Sequence, residues 1–292
     1  MTLLDAVQER LGTELLRRVA GPDADRRREV VHGAQGPRWF EADSPIGWVH
    51  GDASMFIGGI RAIMLQSLHP AAMQGVADHS GYRGDMWGRL AKISYYIATT
   101  TFGTERHAEQ VIDAVRHVHE SVTGTMPDGT AYAANDPHLL GWVHAAEIDS
   151  FLTAPRAFGA RRLTRAQQDE YVGQTARVAR RIGVLDPPTT LEELKGTLAA
   201  YGPELRGTDA ARDAIGFLVK HPDLPWAARP AYWSLMGGAI TLLPPWVRTE
   251  LALPAWPGVV DAPVRAVGSL STTTVRWAMA PGHARARSMR PA

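Results

Sequence analysis

Apolar side chains recur at helical spacing along most of the chain, and this periodicity limits the possible folds more than any other feature. It is clearest in residues 104–124, where Thr104 is a suitable N-cap and Gly124 a stop signal. Between them, one helix face is marked by an apolar stripe: Ala108, Val111, Val115, Val118 and Val122. Alternating patterns typical of strands are nearly absent. The sequence therefore predicts an all-α protein with a single, mostly helical domain.

Capping residues and helix breakers divide the rest of the chain into further helices. The charge-rich first 40 residues predict an arm of one or two helices that ends at a Gly/Pro break. A long apolar segment over 52–78 predicts a buried helix that is bent or broken at Pro70. Asp136 and Thr164 are suitable N-caps. Further helices are predicted over residues 85–103, 138–155, 163–184, 190–201 and 208–220.

Composition excludes several classes of protein and site. The 292 residues include no cysteine, which excludes disulfides, thiolate nucleophiles and cysteine-ligated metal centres. The formal net charge of +1 argues against a nucleic acid as the main partner. No apolar run reaches the roughly 18 residues of a membrane-spanning helix. The first 21 residues carry three acidic side chains and no apolar core of a signal peptide, so we expect a cytoplasmic protein.

Most motifs that bind metals or nucleotides fail in this chain. His119-Glu120 lacks the second histidine of the zinc-protease motif H-E-x-x-H, and the phosphate-binding glycine motifs are missing. One Glu-x-x-His pair, Glu29 with His32, lies alone in the charged arm, whereas a di-iron bundle needs two such pairs. His50-Gly51-Asp52 matches the first half of a facial triad for non-haem iron, and this alternative stays open.

Two histidines are candidates for a buried site on the predicted helices. A haem requires one axial histidine and a deep apolar cavity. At roughly 100° per residue, His119 lies at the flank of the valine stripe, while His117 lies opposite it. His144 lies on the apolar face of the next helix. Each of these two could equally be a hydrogen-bonded core histidine, so spacing alone predicts only a helical protein with buried histidines.

The segment DMWGRLAKISYYIATTTFGT, residues 85–104, carries cations beside its apolar face. Arg89, Lys92, Ile93 and Tyr96 follow one another at the spacing of a single helical stripe. Periodicity alone explains the two cations as side chains that extend to solvent from the edge of the helix.

Several segments together resemble the latex-clearing protein (rubber oxygenase) and mycophenolic-acid-pathway oxygenase family. They keep the family's order over roughly residues 44–254: SPIGWVHGD, LQSLHPAAMQGVADHS, GRLAKISYYIATTTFGT, RHVHESVTG, YAANDPHLLGWVHAAEIDSFL and LLPPWVRTELALP. The resemblance implies an all-α fold with a globin-like core that encloses haem b. It also implies chemistry with dioxygen on a small hydrophobic substrate, since family members cleave double bonds in isoprenoid chains.

The resemblance also divides the chain and assigns roles to its residues. Residues 1–40 become an N-terminal helical arm, 41–265 the catalytic domain, and 266–292 an extension whose tail, from about Pro281, we expect to be disordered. His119 resembles the family's axial haem ligand, with His144 as the alternative. In the family's R-L-x-[KR]-T pattern, Arg89 is the expected partner of a haem propionate.

In the same pattern, Lys92 is the expected distal gate or sixth ligand of the iron, since a buried lysine readily loses its proton. Ile93 stands where the pattern has threonine, and no residue matches the distal carboxylate of the rubber enzymes. Rubber cleavage is therefore not expected. These departures leave a second alternative open, a protein that binds haem or a hydrophobic ligand without oxygenase turnover. The sequence identifies no redox partner.

Overall fold

The computed structural model describes residues 2–79, 85–220, 223–254 and 258–290, and most of them are helical. The α-helices in these ranges are α1 (Leu3–Ala20), α2 (Ala24–Arg28), α3 (Pro45–Gly51), α4 (Met55–Gln66), α5 (Pro70–His79), α6 (Met86–Phe102), α7 (Glu105–Glu120), α8 (Pro137–Phe158), α9 (Arg165–Ile182), α10 (Leu191–Tyr201), α11 (Asp209–Lys220), α12 (Arg229–Thr241), α13 (Pro245–Glu250) and α14 (Gly258–Met289). A short antiparallel pair, β1 (Thr123–Thr125) and β2 (Ala131–Ala133), joins α7 to α8 with Gly124 opposite Tyr132. The predicted all-α class is confirmed.

The helix boundaries follow from local capping. The Thr104 side chain accepts a hydrogen bond from the backbone N–H of His107 at the start of α7. Asp136 and Thr164 cap α8 and α9 in the same way, as the sequence predicts. The long apolar segment is broken rather than bent, because α4 ends at Gln66 and α5 begins at Pro70, where a proline is compatible only with a first helical turn.

Helices α4 and α8 form the centre of the molecule. They approach closely because Gly58 has no side chain: a Cβ there would lie 3.1 Å from the Phe151 ring and 3.3 Å from Ala154. One core cluster surrounds Trp142 and joins α4 and α8 to α11 and α12. A second cluster, around Phe151 and Tyr171, joins α8 to α3, α7 and α9. Helix α8 therefore contributes side chains to both clusters.

The C-terminal segment differs from the sequence prediction. Residues 281–289 continue α14, so the predicted disorder of the tail is wrong. The helix is anchored upstream, where Arg276 pairs with Asp52 at 3.0 Å, and it packs along α1 and α12. Near its end, Arg285 lies 3.4 Å from Glu9 of α1. Helix α14 also crosses residue 265, so the predicted domain boundary there coincides with no break in secondary structure.

Helix α1 covers one side of the fold, where it packs on α6 and α14. Arg27, which follows α1, donates hydrogen bonds to the carbonyls of Ala20 and Ala91, and its guanidinium lies over the Tyr95 ring. The N-terminal arm thereby covers one face of α6 and leaves the opposite face directed inward. Among the helices of the described residues, none has the length and apolarity to cross a lipid bilayer.

Candidate active site

Helix α8 places two ionisable side chains on one face, a single turn apart. Burial lowers the pKa of His144 to about 4, and its Nε2 is buried with no hydrogen-bond partner in the described part of the chain. Burial raises the pKa of Glu147 to about 7. A carboxyl group with such a pKa exchanges protons near neutral pH. Glu147 is not among the site residues predicted from the sequence, although its spacing of three residues from His144 indicates that the two share a face.

The inward face of α6 lies near this part of α8. Burial raises the pKa of Tyr96, and the negative charge of Glu147 adds to that effect, so the phenol and the carboxyl group are within electrostatic reach. Burial also lowers the pKa of Arg89, which precedes Tyr96 by two turns on the same stripe. The stripe that looked anomalous in the sequence therefore faces the interior at both ends.

These side chains lie deep in the protein without being tightly enclosed. Arg89, Tyr96, His144 and Glu147 are all surrounded by enough protein to shift their pKa values, yet each keeps some accessible surface. Close-packed core residues of α8, such as Trp142, have almost none. The packing around these four side chains is therefore looser than in the core around Trp142.

His119 lies near the end of α7 with its ring partly buried. Burial lowers its pKa, and the side-chain amide of Asn135 acts in the opposite direction. His119 Nδ1 and Asn135 Oδ1 are both buried, and neither completes a well-formed hydrogen bond among the described residues. The Asn135 amide is itself held in place, because its Nδ2 donates to the Arg116 carbonyl at 3.0 Å. His117 is exposed and pairs with Glu120, as its position opposite the stripe predicts.

Two of the predicted site residues are more exposed than their expected roles suggest. Lys92 lies on an exposed part of α6, so the burial expected of a distal gate is not observed. Ile93 is 39% exposed, although Arg89 and Tyr96 on either side of it in the stripe are both deep. Ile93 and Lys92 therefore lie on the exposed part of α6, whereas Arg89 and Tyr96 are deep.

The proposed half of a non-haem iron triad is not formed. His50 lies 2.7 Å from the Thr101 hydroxyl and 3.1 Å from the Tyr171 hydroxyl, and burial lowers its pKa to about 3. Asp52 instead makes two contacts of 3.0 Å with the Arg276 guanidinium. The two side chains serve separate structural networks, so the structure does not bring them together as the ligand pair that this alternative needs.

Asp149 takes part in a structural network between α8 and α4. It forms a 2.8 Å ion pair with Arg61 of α4, and the same guanidinium donates to the Ser150 hydroxyl at 2.8 Å. His144 takes no part in this network and faces another direction. His144 and Asp149 of the segment WVHAAEIDSF therefore have separate surroundings.

Comparison with known proteins supplies the family. No curated protein and no solved structure matches the chain. One family model does match, over residues 47–276 and therefore most of the chain. It describes the catalytic domain of the ER-bound oxygenases mpaB and B′ and of rubber oxygenase. This chain belongs to the mpaB/rubber oxygenase catalytic-domain family.

Proposed function

We propose that the protein is a haem b-dependent oxygenase that uses dioxygen to oxidise a small hydrophobic, isoprenoid-like substrate. The observation that carries the proposal is the set of deep ionisable side chains on α6 and α8 in a chain of an oxygenase family. Ionisable groups with perturbed pKa values are typical of functional sites.

The residues present are compatible with haem. An axial histidine needs one free ring nitrogen, and its other nitrogen is commonly oriented by a neighbouring acceptor. The Asn135 side chain interacts with the His119 ring and would orient it, so that His119 would hold the iron. His144 is the alternative, because its buried Nε2 has no partner among the described residues. Both rings are suited to ligation because burial favours their neutral form.

Other side chains have roles that follow from their charge and depth. Arg89, whose guanidinium stays charged despite burial, is suited to bind a propionate. Glu147 is suited to hold or release a proton close to the substrate, since its pKa is about 7. The bound haem would supply the redox-active iron that activates dioxygen. The protein residues would orient the substrate and exclude water from it.

The choice of a hydrophobic substrate rests on side chains of α6 beside the proposed site. Ile93 presents a branched apolar side chain where the family pattern has a hydroxyl, and Tyr96 lies one turn further along. Lys92 is exposed on α6 and lacks the burial that a ligand of the iron needs, so we propose that it acts at the entrance to the site. The cytoplasmic location stays a prediction from the sequence.

Absorption spectroscopy tests the haem assignment. We expect the protein expressed with a haem supply to show a Soret band, which His119→Ala should abolish or shift. His117→Ala is the matched control, because this exposed histidine lies on the same helix. Loss of the band in His144→Ala alone would transfer the axial role to that residue. Absence of a Soret band in the wild type would refute the haem proposal.

A binding protein without turnover is the second candidate, and Ile93 is the observation that favours it. The hydroxyl that the family pattern places on this stripe is missing. Oxygen consumption by the haem-loaded protein with a panel of terpenoid alkenes separates the two functions. Substrate-dependent consumption supports the oxygenase. Spectral shifts on ligand addition without consumption support the binding protein.

A further inference from the structure

Three side chains from distant parts of the chain meet away from the α6–α8 site. They are His69, just before α5, His138 in the first turn of α8, and Glu204 in a single 3₁₀ turn after α10. One ligand atom of each lies within 4.8 Å of the others. Elsewhere in the described ranges, no other group of three histidine, aspartate or glutamate side chains converges in this way.

The distances within the cluster are close to those of a metal site. His69 Nε2 lies 3.2 Å and His138 Nε2 2.9 Å from Glu204 Oε2. Tetrahedral zinc ligands at bond lengths of ~2.0–2.1 Å are separated from one another by about 3.3 Å. An outward movement of Glu204 Oε2 by a few tenths of an ångström would bring both histidine–glutamate distances to this value.

The surrounding structure holds the three side chains in position. His69 is 6% exposed, and its ring faces that of His138 at a centroid distance of 6.1 Å. The Tyr201 hydroxyl donates to the His138 carbonyl at 2.7 Å, and its ring lies 4.7 Å from the His138 ring. The backbone N–H of Arg206 donates to the Leu68 carbonyl at 2.9 Å, which ties the segment of Glu204 to that of His69.

The cluster also has access to solvent. His138 and Glu204 are partly exposed, so an ion can enter from the surface. A cavity of about 270 Å³ borders the cluster through His138 and Tyr201. Three protein ligands leave a fourth coordination position for water or a small molecule, as in zinc sites with two histidines and one glutamate.

We propose that His69, His138 and Glu204 bind one divalent transition-metal ion, with Zn²⁺ favoured by the two-imidazole, one-carboxylate donor set. The site is independent of the proposed haem, since it shares no residue with it. It joins the starts of α5 and α8 to the turn after α10. Metal binding is therefore expected to stabilise the fold as well as to create an open coordination position.

Calorimetric titration of the full-length, tag-free, metal-depleted protein with ZnCl₂ tests this proposal. We expect one equivalent to bind with micromolar or tighter affinity, and Co²⁺ to give the visible absorption of a low-symmetry four-coordinate site. His138→Ala and Glu204→Gln should each weaken Zn²⁺ binding at least about tenfold. Saturating Zn²⁺ should raise the wild-type melting temperature by roughly 5 °C.

His117→Ala is the matched control, because His117 forms a similar pair with Glu120 at 3.1 Å without a third ligand. It should leave Zn²⁺ affinity unchanged. Circular dichroism of each variant checks folding, and the exposed position of His138 makes its substitution the safer one. No stoichiometric binding by the wild type, or unchanged binding in folded His138→Ala, overturns the proposal. The Soret band should be the same in all of these variants, so failure here is distinguishable from failure of the haem proposal.

Discussion

Helix α8 carries ionisable side chains on two sides, and the two sides differ in how these side chains are paired. Towards α4, Asp149 forms a 2.8 Å ion pair with Arg61, whose side chain is 6% exposed. On the other side, His144 and Glu147 are deep, and burial is the one cause that shifts their pKa values. At about 100° per residue, Asp149 lies some 140° or more from both of them.

The difference separates a charge that is paired across a helix contact from two groups that burial alone perturbs. A buried ion pair satisfies both partners and fixes the contact between two helices. His144 and Glu147 instead bear the cost of burial in opposite ways, since one favours loss of its proton and the other retention. Such groups reduce stability in the pH ranges where their charged forms are populated, which is the usual sign of a functional site.

Breaking the ion pair should have the largest effect on stability. Asp149→Ala leaves the Arg61 guanidinium buried and without its carboxylate, and we expect the free energy of unfolding to fall by about 3–5 kcal/mol in urea denaturation. Asp25→Ala is the control, because Asp25 forms an exposed pair with Arg28 that is worth at most about 0.5 kcal/mol. A loss below 1 kcal/mol in Asp149→Ala would contradict the structural role of this face.

Replacing Glu147 should remove a pH dependence. The pKa of Glu147 is about 7 in the folded protein against an ordinary value of 4.5, so the folded state binds the extra proton between these limits. Stability therefore falls as pH rises through that window, and Glu147→Gln should be more stable than the wild type by about 3 kcal/mol at pH 8 and similar to it at pH 4.5. Urea denaturation across this range measures the difference.

The control for that series is Glu192→Gln, an exposed glutamate of α10. It should leave the pH profile parallel to that of the wild type. Equal stabilities of wild type and Glu147→Gln at pH 8 would show that the carboxyl group is not deep in the protein.

His144 should make the stability of the protein depend on pH in the opposite direction. Its pKa falls from 6.5 to about 4 on folding, so the unfolded chain binds the extra proton between these values, and stability is lost as pH falls. His144→Gln should gain about 2 kcal/mol over the wild type at pH 5 and nothing at pH 8. His117→Gln, on an exposed face, is the control. In the wild type, the pH dependences of stability that come from Glu147 and His144 oppose each other between about pH 4.5 and 6.5. Each single variant should therefore show the pH dependence that comes from the remaining residue. A profile of His144→Gln parallel to the wild type would contradict this account.

The sequence predicted local features of the fold better than the environment of the site. Helix positions followed from periodicity and from caps such as Thr104 and Asp136, whose hydrogen bonds lie within four residues of the cap. The depth of Glu147 depends on packing among helices that are distant in the chain, so its spacing from His144 alone could not establish it. The order of the C-terminal tail likewise depends on α1, which lies more than 250 residues away. The contact between His69, His138 and Glu204 was unpredictable for the same reason.

Ile93 provides the test with the smallest expected effect on stability, because it lies on the exposed part of α6 between the deep side chains of Arg89 and Tyr96. It is 39% exposed, so Ile93→Thr should change the free energy of unfolding by no more than about 0.5 kcal/mol. If a hydroxyl on this stripe assists the reaction, one hydrogen bond of about 1 kcal/mol should raise substrate-dependent oxygen consumption by roughly fivefold. Ile63→Thr is the matched control, since Ile63 is 37% exposed on α4 and lies away from the site. Equal oxygen consumption by both variants and the wild type would mean that the missing hydroxyl does not limit the activity of this protein.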